Sequence, residues 1–302
     1  MRIGIDLGGT KIEGIAIDGR GAERARIRVA TPHGYAESLK ALADLVSGLE
    51  SRVGATARGV GVGMPGSISP ATGLARNGNS TWLNGRPFDV DLAHLIGKPV
   101  RAANDANCFA LSEATDGAAA GAASVFGVIL GTGCGGGVVI DGRVLTGASG
   151  IAGEWGHNPL PWPTPEEAAV APCWCSKIGC METWVSGPAI ARDHAHGGVA
   201  TMSATEIEAA AKAGDARAKA TLARFCDRLA RGLATVINVL DPAVVVFGGG
   251  VSKLDVIYAD VPALLPRYVF SDFVAVKLVQ NKHGDSSGVR GAAWLWREDE
   301  LQ

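Results

Sequence analysis

The sequence predicts an α/β protein of two lobes with a cleft between them. Three observations carry that expectation: a glycine-loop β-meander opens the chain, a second one opens near residue 124, and strands alternate with helical patterns after each. "RIGIDLGGTKIEGIAIDGRGAERARIRV" reads as strand, glycine turn, strand, turn, strand, because short β-branched runs alternate with Gly, Asp and Lys. Tyr35 to Val53 follows helical periodicity through Leu39, Leu42, Leu45, Val46, Leu49 and Val53. "GVGVGMPG" is a buried strand ending in a turn, and "PVRAAN" with "DANCFALSEATDGAAAG" is a strand leading into a helix. "SVFGVILGTGCGGGVVIDGRVLTG" then repeats the order strand, glycine loop, strand, turn, strand. Residues 151–182 hold five prolines and three clustered cysteines, show no long periodicity, and read as an insertion. Helical patterns resume through "DARAKATLARFCDRLARGLATVINVLD", followed by the strand "AVVVFGGG", a helix, a strand and a terminal helix from about Ser286. The expected division is 1–121 for the first lobe and 122–302 for the second, with the last helix, 286–302, packing back on the first.

Composition narrows the function classes. The chain has 302 residues, 47% of them hydrophobic, enough for two cores without a disulfide scaffold. Lys plus Arg number 28 against 30 Asp plus Glu, and no basic run supplies the footprint of nucleic-acid binding, so small molecules are the expected partners. "MRIGIDLGGTK" enters a strand pattern directly, and no stretch reaches the apolar length that spans a bilayer. A soluble, cytoplasmic protein with no membrane or nucleic-acid partner is expected. In that setting thiols are buried, metal-bound or catalytic rather than bridged.

Two glycine loops suit phosphate. "DLGGTK" places Gly8, Gly9, Thr10 and Lys11 between two strands, and "GTGCGGG" places Gly131, Thr132 and Gly133 in the same position of the second unit. Glycine lets backbone N–H groups approach an anion, Thr adds a donor and Lys adds charge. A hairpin also needs glycine with no ligand at all, but two such loops, with Gly248, Gly249 and Gly250 after a later strand, favour phosphate binding. Neither loop has the spacing of a P-loop or a dinucleotide fingerprint. "AANDAN" sets Asn104 and Asp105 where a strand meets a helix. Asp105 there is expected to cap the helix, or to stay ionised at its N-terminus and accept a hydroxyl proton.

Cys173, Cys175 and Cys180 form C-x-C-x4-C, with His157 fifteen intervening residues upstream. Three thiolates and an imidazole are a closed tetrahedral set for structural zinc; buried free thiols are the alternative. Zinc would hold together an insertion too short and Pro-rich to fold unaided. Glu154 and Glu182 flank the cluster and read either as surface charges or as acceptors for sugar hydroxyls. Cys108, Cys134 and Cys226 read as packing residues.

Taken together, "DLGGTK", "GMPGSI", "NGNSTWLNG", "ANDANC", "GTGCGGG", "GEWGHNPL", "CWCSKIGCME", "VVVFGGGVS" and "KHGDSSGVRGAAWLW" resemble the ROK family (repressors, open reading frames and sugar kinases) from end to end. The loops also resemble those of the wider sugar kinase, actin and Hsp70 superfamily. The resemblance implies the two-lobed actin-like ATPase (ribonuclease H-like) fold, ATP as co-substrate, magnesium bridging its phosphates with Asp6 as an outer-shell partner, and structural zinc on His157, Cys173, Cys175 and Cys180. It implies Asp105 as catalytic base, Asn104, Glu154, His157, Glu182 and Asn79 on the sugar, Gly8 to Lys11 and Gly131 to Gly133 on the phosphates, and Gly248 to Gly250 near the adenosine. Family habit implies a homodimer.

"NSTWLNGRPFD" and "AGEWGHNPLPW" look most like the family's bacterial fructokinases, so fructose is the expected acceptor and mannose the second. Glucose and the N-acetylhexosamines are the alternatives within the family, and a non-catalytic sugar-sensing regulator is the alternative outside catalysis. Since the phosphate loops lie far from the cysteines in sequence, loss of metal is expected to weaken sugar binding more than ATP binding. One departure is notable: Ser176 stands where the family's cysteine motif has glycine, and a positive φ there would strain it.

Overall fold

The computed structural model describes residues 1–302 except 79, 168–171, 199, 298, 299, 301 and 302. The chain divides into two compact units, Met1–Gly121 with Gly137–Ala152 and Lys282–Gln302, and Ala122–Gly136 with Gly153–Asn281. The division is thus more interleaved than one boundary at Gly121, because residues 137–152 also lie with the first unit.

In the first unit the strands β1 (Arg2–Leu7), β2 (Lys11–Ile17) and β3 (Glu23–Ala30) form the meander, followed by α1 (Tyr35–Val53) and β4 (Val60–Met64). The short pair β5 (Ser67–Ile68) and β6 (Ala75–Arg76) precedes α2 (Phe88–Ile96), β7 (Val100–Asn104) and α3 (Asp105–Thr115). The sheet order is β3-β2-β1-β4-β7, with β4 and β7 parallel to β1. Leu42, Leu45, Val46 and Leu49 bury the apolar stripe of α1 in a core with Ile3, Ile5, Leu7, Val60 and Val62. Gly54 ends the helix in the left-handed region, where only glycine is unstrained.

The second sheet repeats this order. Strands β8 (Ser124–Leu130), β9 (Cys134–Ile140) and β10 (Arg143–Val144) are followed by α4 (Glu182–Val185), α5 (Gly187–Ala195), α6 (Ala204–Lys212), α7 (Ala216–Leu240) and β11 (Val244–Gly248). Two short helices, α8 (Val256–Ala259) and α9 (Val261–Leu264), lead to β12 (Lys277–Gln280) and α10 (Ser287–Trp294). The order β10-β9-β8-β11-β12 matches the first sheet strand for strand. Among the described residues no helix is long and apolar enough to cross a membrane.

The terminal helix starts at Ser287, after a 3-10 turn over Gly284–Ser286, and lies against α3 and β1 within the first unit. Glycine makes that approach possible: a methyl on Gly61 would collide with the Ala292 carbonyl, and one on Gly291 with the Cys108 carbonyl. A fully buried carboxylate holds the far end of α3 to the same segment. Glu113 accepts hydrogen bonds from Lys282 N (3.0 Å), His283 N (3.3 Å), Ser287 Oγ (2.8 Å) and Ala118 N (2.8 Å). Asp116 accepts from His283 Nε2 (3.0 Å), Trp294 Nε1 (3.2 Å) and Arg290. The helix that carries Asp105 is therefore clamped at its C-terminus by polar groups whose desolvation is compensated donor by donor.

Candidate active site

Within the first unit, the loop between β1 and β2 is closed by its own neighbours. Gly8 N donates to Lys11 O (3.0 Å), and Thr31 Oγ donates to Gly8 O (2.7 Å). Asp6, at the end of β1, sits opposite Glu13 on β2. Burial, then the Asp105 and Glu13 carboxylates, push Asp6 up to about 6 against a partial offset from Lys11. Glu13 is buried too, but hydrogen bonds from Arg28 and Arg26 outweigh its burial and hold it below the usual carboxylate range. Lys11 Nζ reaches Glu13 at 3.6 Å while half its side chain remains exposed.

The helix cap belongs to Asn104, which corrects the expectation that Asp105 serves as the cap. Asn104 is in extended backbone, its Oδ1 accepts from Ala106 N (2.9 Å), and its Nδ2 donates to Gly66 O (3.1 Å). Asp105 is the first helical residue, exposed, with Oδ1 also receiving Ala106 N at 2.8 Å. Cys108, one turn on, is fully buried; that burial, with Asp6 and Asp105, raises its thiol well above the ordinary value and keeps it neutral. Asn79 lies outside the described residues.

Within the second unit, Gly131–Gly133 links β8 to β9, and Gly249, at φ 82°, is pressed so close to the Leu130 carbonyl that a methyl would collide. The glycine run at 248–250 therefore borders the loop at 131–133. Glu182 joins them: its Oε2 accepts from Cys134 N (3.1 Å), and a methyl on Gly133 would strike the same oxygen. Glu154 is exposed, immediately before the 3-10 turn Trp155–His157.

Among the described residues, one set of four could hold a metal: His157, Cys173, Cys175 and Cys180, whose ligand atoms lie within 4.8 Å of one another. Cys173 Sγ is 3.6 Å from His157 Nδ1, and the Cys175 and Cys180 sulfurs are 3.6 Å apart. Zn–S bonds of about 2.3 Å set a tetrahedral edge of about 3.8 Å, so the donor set fits zinc. With Nδ1 facing the thiols, His157 has Nε2 for another partner. Ser176 has φ 71°, the conformation that favours glycine.

The insertion has a second anchor, absent from the sequence reading. Buried Glu167 receives Arg228 Nε (2.7 Å) and both amino groups of Arg231 (2.9 Å each), while Arg231 also donates to Trp162 O (2.9 Å). Burial would raise Glu167, but the two guanidiniums win and lower it to about 2. The available signal was two arginines inside the apolar stripe of α7, beside Phe225, Leu229 and Leu233.

With this geometry in hand, the model of the ROK family matches residues 2–299. The chain belongs to the ROK family. It is a sugar kinase with the two-lobed actin-like ATPase fold. It is 40% identical over 300 residues to an N-acetyl-D-glucosamine kinase of Vibrio cholerae, covering 98% of this chain and 99% of that one. A ROK hexokinase from Thermus thermophilus superposes with a TM-score of 0.86 at 32% identity, covering 97% of each chain. A ROK family glucokinase from Streptomyces griseus, solved with glucose and AMPPNP, gives 0.76 at 28% identity, covering 98% of this chain and 99% of that one. None of these three relatives is a fructokinase, so the expected fructokinase subtype is without support from them.

Proposed function

We propose that this ROK kinase transfers the γ-phosphoryl group of ATP to O6 of N-acetyl-D-glucosamine. The observation that carries the reading is 40% identity to an N-acetyl-D-glucosamine kinase along nearly the whole of both chains.

Asp105 is the general base. It is exposed beyond the carboxyl end of β7, and the α3 N-terminus favours its ionised form. As O6 bonds to the γ-phosphorus and the bond to the β,γ-bridging oxygen breaks, the O6 proton passes to the Asp105 carboxylate and ADP leaves. Asn104, Glu154, His157 and Glu182 bind sugar hydroxyls. The loops Gly8 to Lys11 and Gly131 to Gly133 line the phosphates, and Gly248 to Gly250 border the adenosine. Asp6 would hold magnesium through its outer shell, and the ion, when bound, would supply charge neutralisation at the phosphates. Zinc on the thiol cluster is structural.

Fructose is the second reading, favoured by the "NSTWLNG" and "GEWGHNPLPW" segments. Coupled ADP release across N-acetylglucosamine, N-acetylmannosamine, glucose, fructose and mannose decides between them. N-acetylglucosamine is expected to lead in kcat/KM by at least about tenfold, or about 1.4 kcal/mol of transition-state binding. A tenfold lead for fructose would reverse the assignment.

A further inference from the structure

The insertion and the residues just after it meet the second glycine loop and the start of β9 at several backbone groups. Gly187 N, just past the insertion, donates to Gly131 O (2.8 Å). Glu182 takes Cys134 N (3.1 Å), and Trp155 Nε1 donates to Gly135 O (3.1 Å). Gly156 is packed so tightly on the Cys134 carbonyl that a methyl there would collide. Glu182 is the charged member of this set, and its position follows from the thiol cluster. It lies two residues after Cys180, in the first turn of α4, where Thr183 N and Thr183 Oγ both bond to Cys180 O (2.9 and 2.8 Å). Its other oxygen lies 3.6 Å from Cys173 Sγ.

We propose that Glu182 is a positioning residue for the Gly131–Gly133 loop, so that zinc occupancy of the thiol cluster is felt in nucleotide affinity and not only in sugar affinity. This rests on the kinase reading, in which that loop holds ATP phosphates, and it reverses the expectation drawn from distance along the chain. Two effects of the carboxylate oppose each other. Its charge repels a nearby phosphate, while its hydrogen bond fixes a peptide that would otherwise sample other orientations. A charge-assisted bond to a backbone N–H is strong and geometrically specific, and magnesium reduces the charge of the nucleotide, so ordering dominates.

The test is calorimetric titration of MgADP, with no sugar present, into wild type, Glu182→Ala and Glu182→Gln, with zinc content measured on the same samples. The Ala variant is expected to bind MgADP about tenfold more weakly while keeping its zinc. The Gln variant, whose amide oxygen still accepts from Cys134, should stay within about threefold of wild type. Chelating zinc from wild type should cost a similar tenfold, and chelating the Ala variant should cost little more, since the two lesions break one path. If the chelated protein unfolds, the Ala and Gln pair at full zinc decides. Wild-type affinity in the Ala variant overturns the proposal, as do tighter binding in both variants, a Gln variant as weak as Ala, or zinc loss in the Ala variant. A wild-type protein that takes up no MgADP removes the kinase reading itself, and the strut with it.

Discussion

The two glycine loops occupy the same place in matching sheets but are held in different ways. Gly8–Lys11 is closed by groups within about 25 residues: the Lys11 carbonyl, the Thr31 hydroxyl and the Glu13 carboxylate across the hairpin. Gly131–Gly133 has an equivalent internal bond, Gly131 N to Gly133 O (3.0 Å), but it and the start of β9 are also held from outside the hairpin by Gly187, Glu182 and Trp155. A hairpin that carries its own supports forms whenever its strands pair. One supported by an insertion inherits whatever stabilises the insertion, here a buried ion pair and, on the zinc reading, the thiol cluster. The duplicated topology therefore does not imply duplicated energetics.

The largest expected effect lies in the first unit. Asp105→Asn should lower kcat by about 10²–10⁴, or roughly 3–5 kcal/mol of barrier, with the thermal midpoint and zinc content unchanged. Because Asn104 is the cap, Asp105→Ala should also leave stability within about 0.5 kcal/mol, whereas loss of a true cap costs about 1 kcal/mol. Steady-state kinetics and melting on the two variants check this. An Asn variant retaining more than a tenth of wild-type kcat would move the base elsewhere.

Asp6 sharpens the contrast at the next scale, since the self-supported loop carries a cost of its own. Its carboxyl holds a proton to about pH 6 in the folded chain, against 3.8 as the ordinary value. A raised folded pKa favours the folded state fully below about 3.8, and this advantage is lost as pH rises through 6. At neutral pH, Asp6→Asn should therefore stabilise the protein, by up to about 3 kcal/mol, while impairing MgATP use. Denaturant midpoints at pH 4 and pH 7.5 measure it: the gain should appear at 7.5 and vanish at 4. Equal gains at both would exclude the buried charge as its source.

The smallest effect belongs to the second unit. Ser176→Gly should relieve the strain of φ 71° and stabilise the zinc-loaded protein by about 1 kcal/mol, a rise of about 2 °C in the unfolding midpoint, with tighter zinc retention against a chelator. No change in either would mean that the cluster absorbs the strain.

Much of this was legible in the chain. The helix over Tyr35–Val53, both meanders and the metal donor set follow from periodicity, turn chemistry and ligand type, which are properties of near neighbours, whereas the positive φ at Ser176 was anticipated from the resemblance to the family's cysteine motif. Sugar identity was not legible, because one hexose is separated from another by contacts of the folded site rather than by motif spacing along the chain.

The sequence by itself determined which elements form and which residues can do chemistry, since local backbone preference and side-chain type decide both. Only the tertiary structure decided which polar group meets which: Asn104 rather than Asp105 at the cap, Glu182 on Cys134 N across 48 residues, Glu167 between two arginines of α7 across 61 and 64, and Glu113 on Ser287 across 174. The physical reason is that a buried carboxylate must find donors wherever the packed chain brings them, and no spacing in the sequence names the donor in advance.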